Sequence, residues 1–253
     1  MAKVNKNTWE KFWEKDVEDI YPTSGNLANN LLNNFDISGK KVLEIGAGTG
    51  RDSIRLKKKG GVIFVLDYAR NSLKIVKQVA AKEGLKIHYI LGDAFNLPIK
   101  SESFDVTFHQ GLIEHFKEPE GIIDENVRIV KKDGIVLCDV PQKYHIYTVI
   151  KHILISMDKW FAGWETEFSP RQLKKLFKKE NLEEVKLYGE WMYPSLYYRI
   201  LRELFLKTGI KLPLFPKFPG LYSIRKIFRE KLNNRKMFLN TYLNLGIIVR
   251  KIK

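Results

Sequence analysis

The 253-residue chain is poor in cysteine and has no long apolar run. Its one cysteine, Cys138, cannot by itself form an intrachain disulfide or complete a thiolate metal site, which is typical of a reducing compartment. The apolar runs are too short for a membrane-spanning helix, and the N-terminus lacks the continuous apolar core of a signal peptide. We therefore expect a cytoplasmic protein.

Acidic residues are scarce in the second half of the chain. Residues 1–141 carry 21 Lys and Arg against 20 Asp and Glu, whereas residues 142–253 carry 23 against 9. Residues 195–253 alone carry 14 against 2, so most of the net charge of +15 lies toward the C-terminus. A field of this sign attracts phosphates, anionic lipid head groups or an acidic substrate, although basic side chains also serve simply as a solvated face.

Repeats and low-complexity tracts are absent, and 44% hydrophobic with 29% charged residues is the composition of a folded protein. From residue 40 to residue 141, short runs rich in Val, Ile, Leu and Phe alternate with stretches of helical composition. We predict strands at 41–45, 62–66, 86–91, 104–109 and 135–140, and helices at 51–59, 71–83 and 121–131. This alternation is typical of an α/β protein with a parallel sheet and helices on both faces.

Helical segments are predicted on both sides of this unit. Residues 1–36 fit two helices, at 7–16 and 25–35. Behind the unit, apolar residues between 146 and 157 recur at helical spacing, Ser169-Pro170 begins another helix, and strands follow at 184–189 and 242–250. Residues 190–240 combine apolar stripes, at 196–205 and 221–232, with most of the positive charge. We expect these stripes to form helices that cover the domain.

The strongest local motif is VLEIGAGTG at residues 42–50, an apolar strand that runs into three glycines at alternate positions. Glycine suits a sharp turn that a ligand approaches closely, and the first N–H groups of the next helix favour a carboxylate or phosphate. The spacing is not a dinucleotide fingerprint, because Arg51 stands where the third glycine belongs, and no Gly-Lys-Ser/Thr follows as in a P-loop. A plain tight turn is the alternative.

Two acidic residues follow the next two strands. Asp67 ends the second strand, where a carboxylate accepts hydrogen bonds from the two hydroxyls of a ribose and repels a ribose phosphate. Asp93 follows the third strand and suits an exocyclic adenine amine, beside a slot bordered by Ala94 and Phe95. The alternatives are a helix cap for Asp67 and an ordinary turn carboxylate for Asp93.

Five segments between residues 40 and 141 resemble a known family in their order and spacing: VLEIGAGTG, VLDYA, GDAFNLP, SFDVTFHQGLIEHF and DGIVLCDVP. They are similar to the class I S-adenosylmethionine-dependent methyltransferases, and most to the small-molecule methyltransferase type 11 group. The resemblance implies a single domain over residues 1–253 with a Rossmann-like, seven-stranded, mostly parallel sheet of order 3-2-1-4-5-7-6. The cofactor-binding core would be residues 37–141, and residues 142–168 and 190–240 would be helical lid insertions.

The same resemblance implies which residues bind S-adenosylmethionine, whose product is S-adenosylhomocysteine. It assigns these residues to the cofactor: Glu44, Gly46, Ala47, Gly48, Gly50, Asp67, Tyr68, Asp93, Ala94 and Gln110. The loop between the first strand and the next helix would hold the methionine part, and Asp67 the ribose. Tyr68 would lie on the adenine face, with Asp93 and Ala94 at its amino edge. The end of the fourth strand, at Gln110 and Gly111, would lie near the sulfonium.

Methyl transfer is an in-line displacement in which the protein mainly positions donor and acceptor in a site without water. A general base is therefore optional. If the acceptor needs one, His115 is the best candidate, because it follows the fourth strand and its ordinary pKa of about 6.5 suits proton removal near neutrality. The alternative is a loop histidine that orders the backbone. The other histidines do not cluster with carboxylates in sequence, and we predict no metal site.

Several acceptor classes are disfavoured. No Asn/Asp-Pro-Pro-Tyr/Phe follows the fourth strand, as nucleobase-amine methylases would have, and Cys138 lies mid-strand, unlike a cytosine-C5 nucleophile, so we expect no DNA substrate. Arsenic methylation would require several thiols. The leading prediction is therefore methylation of a small or lipid-like molecule, with aromatic walls from the stripe 146–157 and from Trp160, Phe161, Trp164, Trp191 and Tyr193.

Three further interpretations remain open. Residues 195–240 could rest on an anionic membrane, which would make the protein peripheral, because basic amphipathic helices bind such surfaces. The same basic segment, with its interleaved Tyr and Phe, could instead bind RNA, and the chain would then methylate tRNA or rRNA. The third interpretation is a module that binds the cofactor without catalysis.

Overall fold

Strands and helices alternate along the computed structural model, which describes residues 6–14, 25–160, 165–215, 227–228 and 231–253. The strands are β1 (Lys41–Ile45), β2 (Val62–Asp67), β3 (His88–Leu91), β4 (Phe104–Gln110), β5 (Val130–Pro141), β6 (Leu182–Glu190) and β7 (Asn244–Lys251). The α-helices of the described ranges are α1 (Lys6–Phe12), α2 (Asn26–Leu32), α3 (Arg51–Lys57), α4 (Arg70–Lys82), α5 (Glu120–Ile129), α6 (Ile146–Ser156), α7 (Pro170–Leu176) and α8 (Leu196–Lys207). Short 3-10 helices cover Ile113–His115 and Lys236–Phe238.

The strands form one sheet in the order β3-β2-β1-β4-β5-β7-β6. β1 pairs in parallel with β2 and β4, β2 with β3, and β4 with β5. β7 runs antiparallel to both of its neighbours, β5 and β6. The predicted Rossmann-like order, with its reversed last strand, is confirmed. Because the carboxyl ends of β1 to β4 meet at one edge of the sheet, the loops that follow them lie together there.

Both faces of the sheet are buried, since side chains alternate along each strand. On one face, Val42 of β1 packs in a cluster with Leu27 of α2 and Leu56 of α3. On the other face, the next residue, Leu43, packs in a second cluster that includes Leu97. The apolar strands therefore hold the sheet rigid, and the polar side chains concentrate in the loops at the strand ends.

The boundary between α5 and β5 differs from the prediction. The helix predicted at 121–131 ends at Ile129, and β5 begins at Val130 instead of residue 135. Val130 pairs with Phe104 of β4, and the register shifts before the regular pairing resumes. Gly134 has no room for a side chain, because a Cβ there would lie 2.6 Å from a methyl group of Val130 and 2.8 Å from the Asp105 carbonyl oxygen. Pairing with β4 thus decides a boundary that local composition assigned to the helix.

The start of α7 is as predicted, because Ser169 accepts a hydrogen bond from the Gln172 N–H and the Gln172 side chain accepts one from the Ser169 N–H. The strands predicted at 184–189 and 242–250 are observed as β6 and β7 with slightly different bounds. Most of the helix predicted at 221–232 lies outside the described residues, as do Phe161 and Trp164. None of the helices in the described ranges has the length and apolar character needed to cross a bilayer.

The apolar stripe of α6 lies at the surface. Its members Ile146, Val149, Ile153 and Met157 are each more than half exposed. They do not line the cavity described below, and the acceptor wall expected from this stripe stays a prediction. Trp191 also packs elsewhere, against Phe238 and Tyr242. The lid role of residues 142–168 and 190–240 stays a prediction.

Candidate active site

The glycine loop after β1 has the backbone conformation that the motif predicts. Gly46, Gly48 and Gly50 all have positive φ, at 68°, 53° and 63°. The Gly46 N–H donates to the Leu66 carbonyl oxygen at 2.8 Å, which ties the loop to the end of β2. A Cβ at Gly48 would lie 3.0 Å from the Trp13 ring. Both conformation and space therefore require glycine in this loop.

Asp67 lies at the end of β2 and is only 4% exposed. Its Oδ2 accepts from the Gly48 N–H at 3.1 Å and from the Ser72 hydroxyl at 2.8 Å, and its Oδ1 accepts from the Ala69 N–H at 2.9 Å. Burial raises the pKa of this carboxyl, and these hydrogen bonds act in the opposite direction. A carboxylate has about four acceptor positions, so Asp67 keeps capacity for a ligand hydroxyl while it holds the glycine loop.

A cavity of about 480 Å³ opens at the carboxyl ends of β1 to β4. This volume lies within the range of small-molecule sites, roughly 300–1,000 Å³. Eight of the residues that sequence analysis placed at the site line it, from four separate loops: Gly46, Asp67, Tyr68, Asp93, Ala94, Phe95, Gly111 and His115. The topology therefore brings together residues that are up to 69 positions apart in the chain (115 − 46 = 69).

Other predicted residues do not contact this cavity. Glu44, Ala47, Gly48, Gly50 and Gln110 are not part of its wall. Burial raises the pKa of Glu44 well above its ordinary value, and hydrogen bonds with Ser53 partly oppose this. The Gln110 side chain donates from Nε2 to Asp139 Oδ2 at 3.4 Å. The roles that the resemblance implies for these five residues stay predictions.

Tyr68 and Asp93 lie in neighbouring loops of the wall. Tyr68 is half-buried, and burial raises the pKa of its phenol, as do the carboxylates of Asp67, Glu10 and Asp93. The hydroxyl therefore stays neutral at physiological pH. Asp93 is exposed, and its Oδ1 accepts from the Phe95 N–H at 3.0 Å. An uncharged aromatic ring beside a carboxylate is suitable for holding an adenine by its face and its amino edge.

The N-terminal helix contributes a wall that sequence analysis did not predict. Trp9 and Trp13 line the cavity, with their ring centroids 6.2 Å apart in a stacked arrangement. Between them, the Glu10 carboxylate accepts from the backbone N–H groups of Arg70 and Asn71, at 2.9 and 3.0 Å, at the start of α4. The aromatic spacing in the sequence predicted one face of a helix, but no local pattern indicated where that face would pack.

His115 lies in the wall of the cavity, next to Trp9. Its side chain is 7% exposed, and its ring centroid lies 4.9 Å from that of Trp9, edge to face. Burial lowers the pKa of the imidazole, the Glu165 carboxylate raises it, and the Lys151 ammonium lowers it further. The net shift is downward, so the ring is neutral at neutral pH and able to accept a proton.

These residues fit a nucleoside that carries a charged amino acid tail. A Cβ at Gly46 would lie 3.0 Å from the Leu112 side chain, so glycine lets the loop lie close to this part of the wall. Carboxylates from Asp67 and Asp93 lie at two strand ends of the same cavity. S-adenosylmethionine, when bound, supplies an electrophilic methyl group on a positively charged sulfur. Among the described residues, no group of three or more His, Cys, Asp or Glu side chains is arranged to hold a metal ion.

Comparison with known proteins supports the same conclusion. A family model described as a methyltransferase domain matches residues 43–138. A ubiquinone biosynthesis O-methyltransferase of Pelagibacter ubique is 26% identical over 215 residues, which cover 75% of this chain and 89% of the relative. A demethylmenaquinone methyltransferase of Clavibacter sepedonicus is 31% identical over 105 residues, 41% of this chain and 42% of the relative.

The fold also matches solved structures. A putative sarcosine dimethylglycine methyltransferase from Galdieria sulphuraria superposes with a TM-score of 0.63 at 18% identity, and the match covers 97% of this chain and 98% of that protein. At this identity the match shows the fold alone. The chain thus contains a methyltransferase domain over residues 43–138 that uses S-adenosylmethionine, and its sheet has the strand order of the class I fold.

Proposed function

We propose that the protein methylates a hydroxyl oxygen of a small, lipid-like aromatic acceptor of the quinone type, with S-adenosylmethionine as the donor. The observation that carries the proposal is the position of His115, a buried neutral imidazole in the wall of the cavity that also contains Gly46, Asp67 and Asp93. A phenolic hydroxyl must lose its proton as its oxygen is methylated, and a neutral imidazole accepts that proton.

The lining of the cavity supports an apolar aromatic acceptor. Trp9, Phe95, Leu112 and Phe116 line the same cavity as His115, and Phe95 and Phe116 meet edge to face with ring centroids 5.0 Å apart. Such side chains bind a ring by apolar contact and exclude water from the reacting atoms. The names of the relatives from Pelagibacter ubique and Clavibacter sepedonicus agree with an acceptor of this class.

The test is methyl transfer from labelled cofactor to a panel of ring phenols, with and without an isoprenyl side chain. We expect labelled methyl ethers, preferentially from the prenylated phenols, and a loss of roughly 10²-fold or more in kcat for His115→Ala with little change in cofactor affinity. His88→Ala is a matched control, because His88 is an exposed histidine on β3. Calorimetric binding of the cofactor without transfer to any phenol in the panel would contradict the proposal.

A lipid-like acceptor would lie in a membrane, and we propose that the protein binds an anionic membrane surface to reach it. Six apolar side chains, which we call the α6–α8 surface, are each more than half exposed in the described part of the chain: Ile146, Val149, Ile153, Met157, Tyr197 and Leu204. Arg199 on α8 lies near enough to Tyr147 on α6 for its guanidinium to oppose the rise that burial causes in the pKa of that tyrosine. Exposed apolar side chains in the basic half of a chain are suited to anionic lipid.

Vesicle sedimentation tests this part of the proposal. We expect binding to vesicles that contain phosphatidylglycerol, weaker binding to phosphatidylcholine alone, and a severalfold loss for Ile153→Glu. Tyr89→Glu on β3 makes the same charge change outside the α6–α8 surface and should bind as the unchanged protein does. Equal and negligible binding to both vesicle types would contradict the membrane proposal, and so would a dimer that Ile153→Glu dissociates. We do not propose an RNA acceptor, because none of the findings favours one.

A further inference from the structure

We propose that Glu165 is a positioning residue for His115, so that the two form a carboxylate–imidazole pair in the wall of the cavity. The inference rests on the proposed function, because it concerns the base of that reaction. The two residues are 50 positions apart (165 − 115), and no sequence motif connects them. His115 Nδ1 lies 3.9 Å from Glu165 Oε1, and both side chains are 7% exposed.

Glu165 is held firmly in this position. Its Oε2 accepts from the Lys151 ammonium at 2.6 Å, and its Oε1 accepts from the Trp160 indole N–H at 2.8 Å. Lys151 is 3% exposed and also contacts Glu167 Oε1 at 2.5 Å. Glu167 Oε2 in turn lies 2.6 Å from Nε2 of His152 at the surface. Buried charges persist only when they are paired, and this network pairs each of them.

The imidazole nitrogen that faces Glu165 has no hydrogen-bond partner of its own. Nδ1 of His115 is fully buried and makes no hydrogen bond. The nearest carboxylate oxygen is Glu165 Oε1, at a distance that a small side-chain movement closes to a hydrogen bond. When Nδ1 carries the proton and directs it at this carboxylate, Nε2 is the basic nitrogen of the imidazole.

The proton balance of the reaction explains why a carboxylate is useful here. The acceptor oxygen forms its bond to the methyl carbon as the carbon–sulfur bond breaks, and the hydroxyl proton moves to His115 Nε2. The positive charge that was on sulfur is thus replaced by a positive charge on the imidazole. The Glu165 carboxylate stabilises that imidazolium, which releases its proton to water when the products leave.

Glu114 precedes His115 but does not have this role. Its carboxyl is 3% exposed, and burial raises its pKa to about 8, with Glu165 as the next contributor. Glu114 is therefore protonated at neutral pH and carries no charge with which to stabilise an imidazolium. The remaining charged groups in this network are Lys151 of α6, Glu165 and Glu167, and α1 presents the uncharged Trp9 ring to the imidazole. Glu165 is thus the anionic group next to His115.

The decisive experiment is an NMR titration of histidine imidazoles in the whole protein, with His115 assigned from the His115→Ala spectrum. We expect Glu165→Gln to lower the His115 pKa by about one unit or more, since an opposite charge within 4–6 Å has an effect of that size. Glu167→Gln is the matched control, because Glu167 also contacts Lys151 but pairs with His152 instead of His115. This variant should leave the His115 pKa unchanged. An unchanged His115 pKa in folded Glu165→Gln, or an equal shift in Glu167→Gln, would overturn the pair.

Two further measurements connect the pair to catalysis. With a prenylated phenol as acceptor, Glu165→Gln should lower kcat severalfold and leave the KM for the cofactor unchanged. The acidic limb of the pH–rate profile should move to lower pH, because the His115 pKa is lower. Glu165→Asp keeps the charge on a shorter side chain, so it should restore part of kcat. If Glu165→Gln does not fold, Glu165→Asp should still lower the His115 pKa, by less, because its carboxylate lies farther from the imidazole. The NMR titration needs no acceptor, so it tests the His115–Glu165 pair alone. The assay with phenols tests the proposed function, and the two proposals can therefore fail separately.

Discussion

Asp67 combines two tasks in one side chain. It accepts hydrogen bonds from Gly48, Ala69 and Ser72, so it fixes the glycine loop, and it also faces the cavity. The sequence alone predicted the second task from the position at a strand end. The first task depends on the distance between two loops, which the sequence does not contain. A substitution at Asp67 will therefore disturb both the ligand contact and the loop that shapes the site.

Asp67→Asn is expected to weaken cofactor binding by about tenfold or more. The change removes the charge and replaces one acceptor oxygen by an NH2 group, which faces the donors of Gly48 and Ser72 or the donor of Ala69. Hydrogen bonds to a charged group contribute about 1.5–3 kcal/mol, so their loss corresponds to this change in affinity. Isothermal titration calorimetry with S-adenosylhomocysteine measures the affinity. Asp133→Asn makes the same chemical change at an exposed position of β5, whose positive φ of 63° asparagine accepts, and should have no effect. If the unchanged protein, Asp67→Asn and Asp133→Asn bound S-adenosylhomocysteine with equal affinity, the role of Asp67 in cofactor binding would be contradicted.

Glu114 should make the protein less stable as the pH rises. Its pKa is raised to about 8 in the folded state, against about 4.3 in an unfolded chain, so the folded state binds the proton more tightly between these values. The stabilisation that Glu114 contributes is therefore fully present below about pH 4 and is lost as the pH rises through about 8. This effect on the free energy of unfolding is on the order of a few kcal/mol, and Glu114→Gln removes it.

Urea unfolding at pH 5.5 and pH 8.5 measures this effect. The free energy of unfolding should fall more between these pH values in the unchanged protein than in Glu114→Gln. Other buried carboxyl groups with a raised pKa, such as Asp139, are common to both proteins and cancel in the comparison. The same pH dependence in both proteins would show that Glu114 is ionised in the folded state.

At the scale of single elements, α1 shows where local prediction stops. Trp9, Phe12 and Trp13 lie at helical spacing, and a helix covers Lys6–Phe12. This helix has only seven residues, too few to be stable alone, so contacts with the rest of the molecule must hold it. Those contacts include three hydrogen bonds from Arg70 and Asn71, at the start of α4, to Glu10 and the packing of Trp13 on Gly48. They place the helix against the glycine loop.

Glu10→Gln is expected to loosen α1 and thereby weaken cofactor binding severalfold. The neutral amide accepts more weakly from the Arg70 and Asn71 N–H groups, and loss of the charge at the start of α4 contributes about 0.3–1 kcal/mol. Acrylamide quenching of tryptophan fluorescence should increase, because Trp9 and Trp13 become more accessible. Glu14→Gln, an exposed change in the same segment, is the control. Unchanged quenching and affinity would show that α1 docks through its aromatic rings alone.

At the scale of the whole molecule, β7 completes the sheet between β5 and β6. Its central Gly246 lies against the Tyr188 ring of β6 and the Asp139 carboxylate of β5, and the Tyr188 hydroxyl donates to Asp139 Oδ1. Gly189 on β6 is similarly close to the Tyr242 ring. Two buried tyrosines thus occupy the space that side chains at these glycines would need. The C-terminal strand and the catalytic half of the sheet therefore share one packed core.

Gly246→Ala is expected to destabilise the protein by roughly 3 kcal/mol or more. A Cβ at this position would overlap both the Tyr188 ring and the Asp139 carboxylate, and the buried hydrogen bond between them would be disturbed. Thermal unfolding measures the loss. Gly84→Asn is the control, since Gly84 has open space around it and a positive φ that asparagine accepts. A melting temperature within a degree or two of the unchanged protein would contradict this account of the β5-β7-β6 contact.

The sequence by itself determined the elements and the motif at each strand end, because strand burial, glycine conformation and helix capping are local properties. It thereby predicted β1 to β4, the capped start of α7 and the positions of Asp67, Asp93 and His115 at one edge of the sheet. Only the tertiary structure decided what meets across that edge. The wall formed by Trp9 and Trp13, the pairing of His115 with Glu165 and the outward direction of the α6 stripe depend on packing between distant segments. Such contacts leave no periodic pattern in the chain, since each is fixed by the shape of its partner.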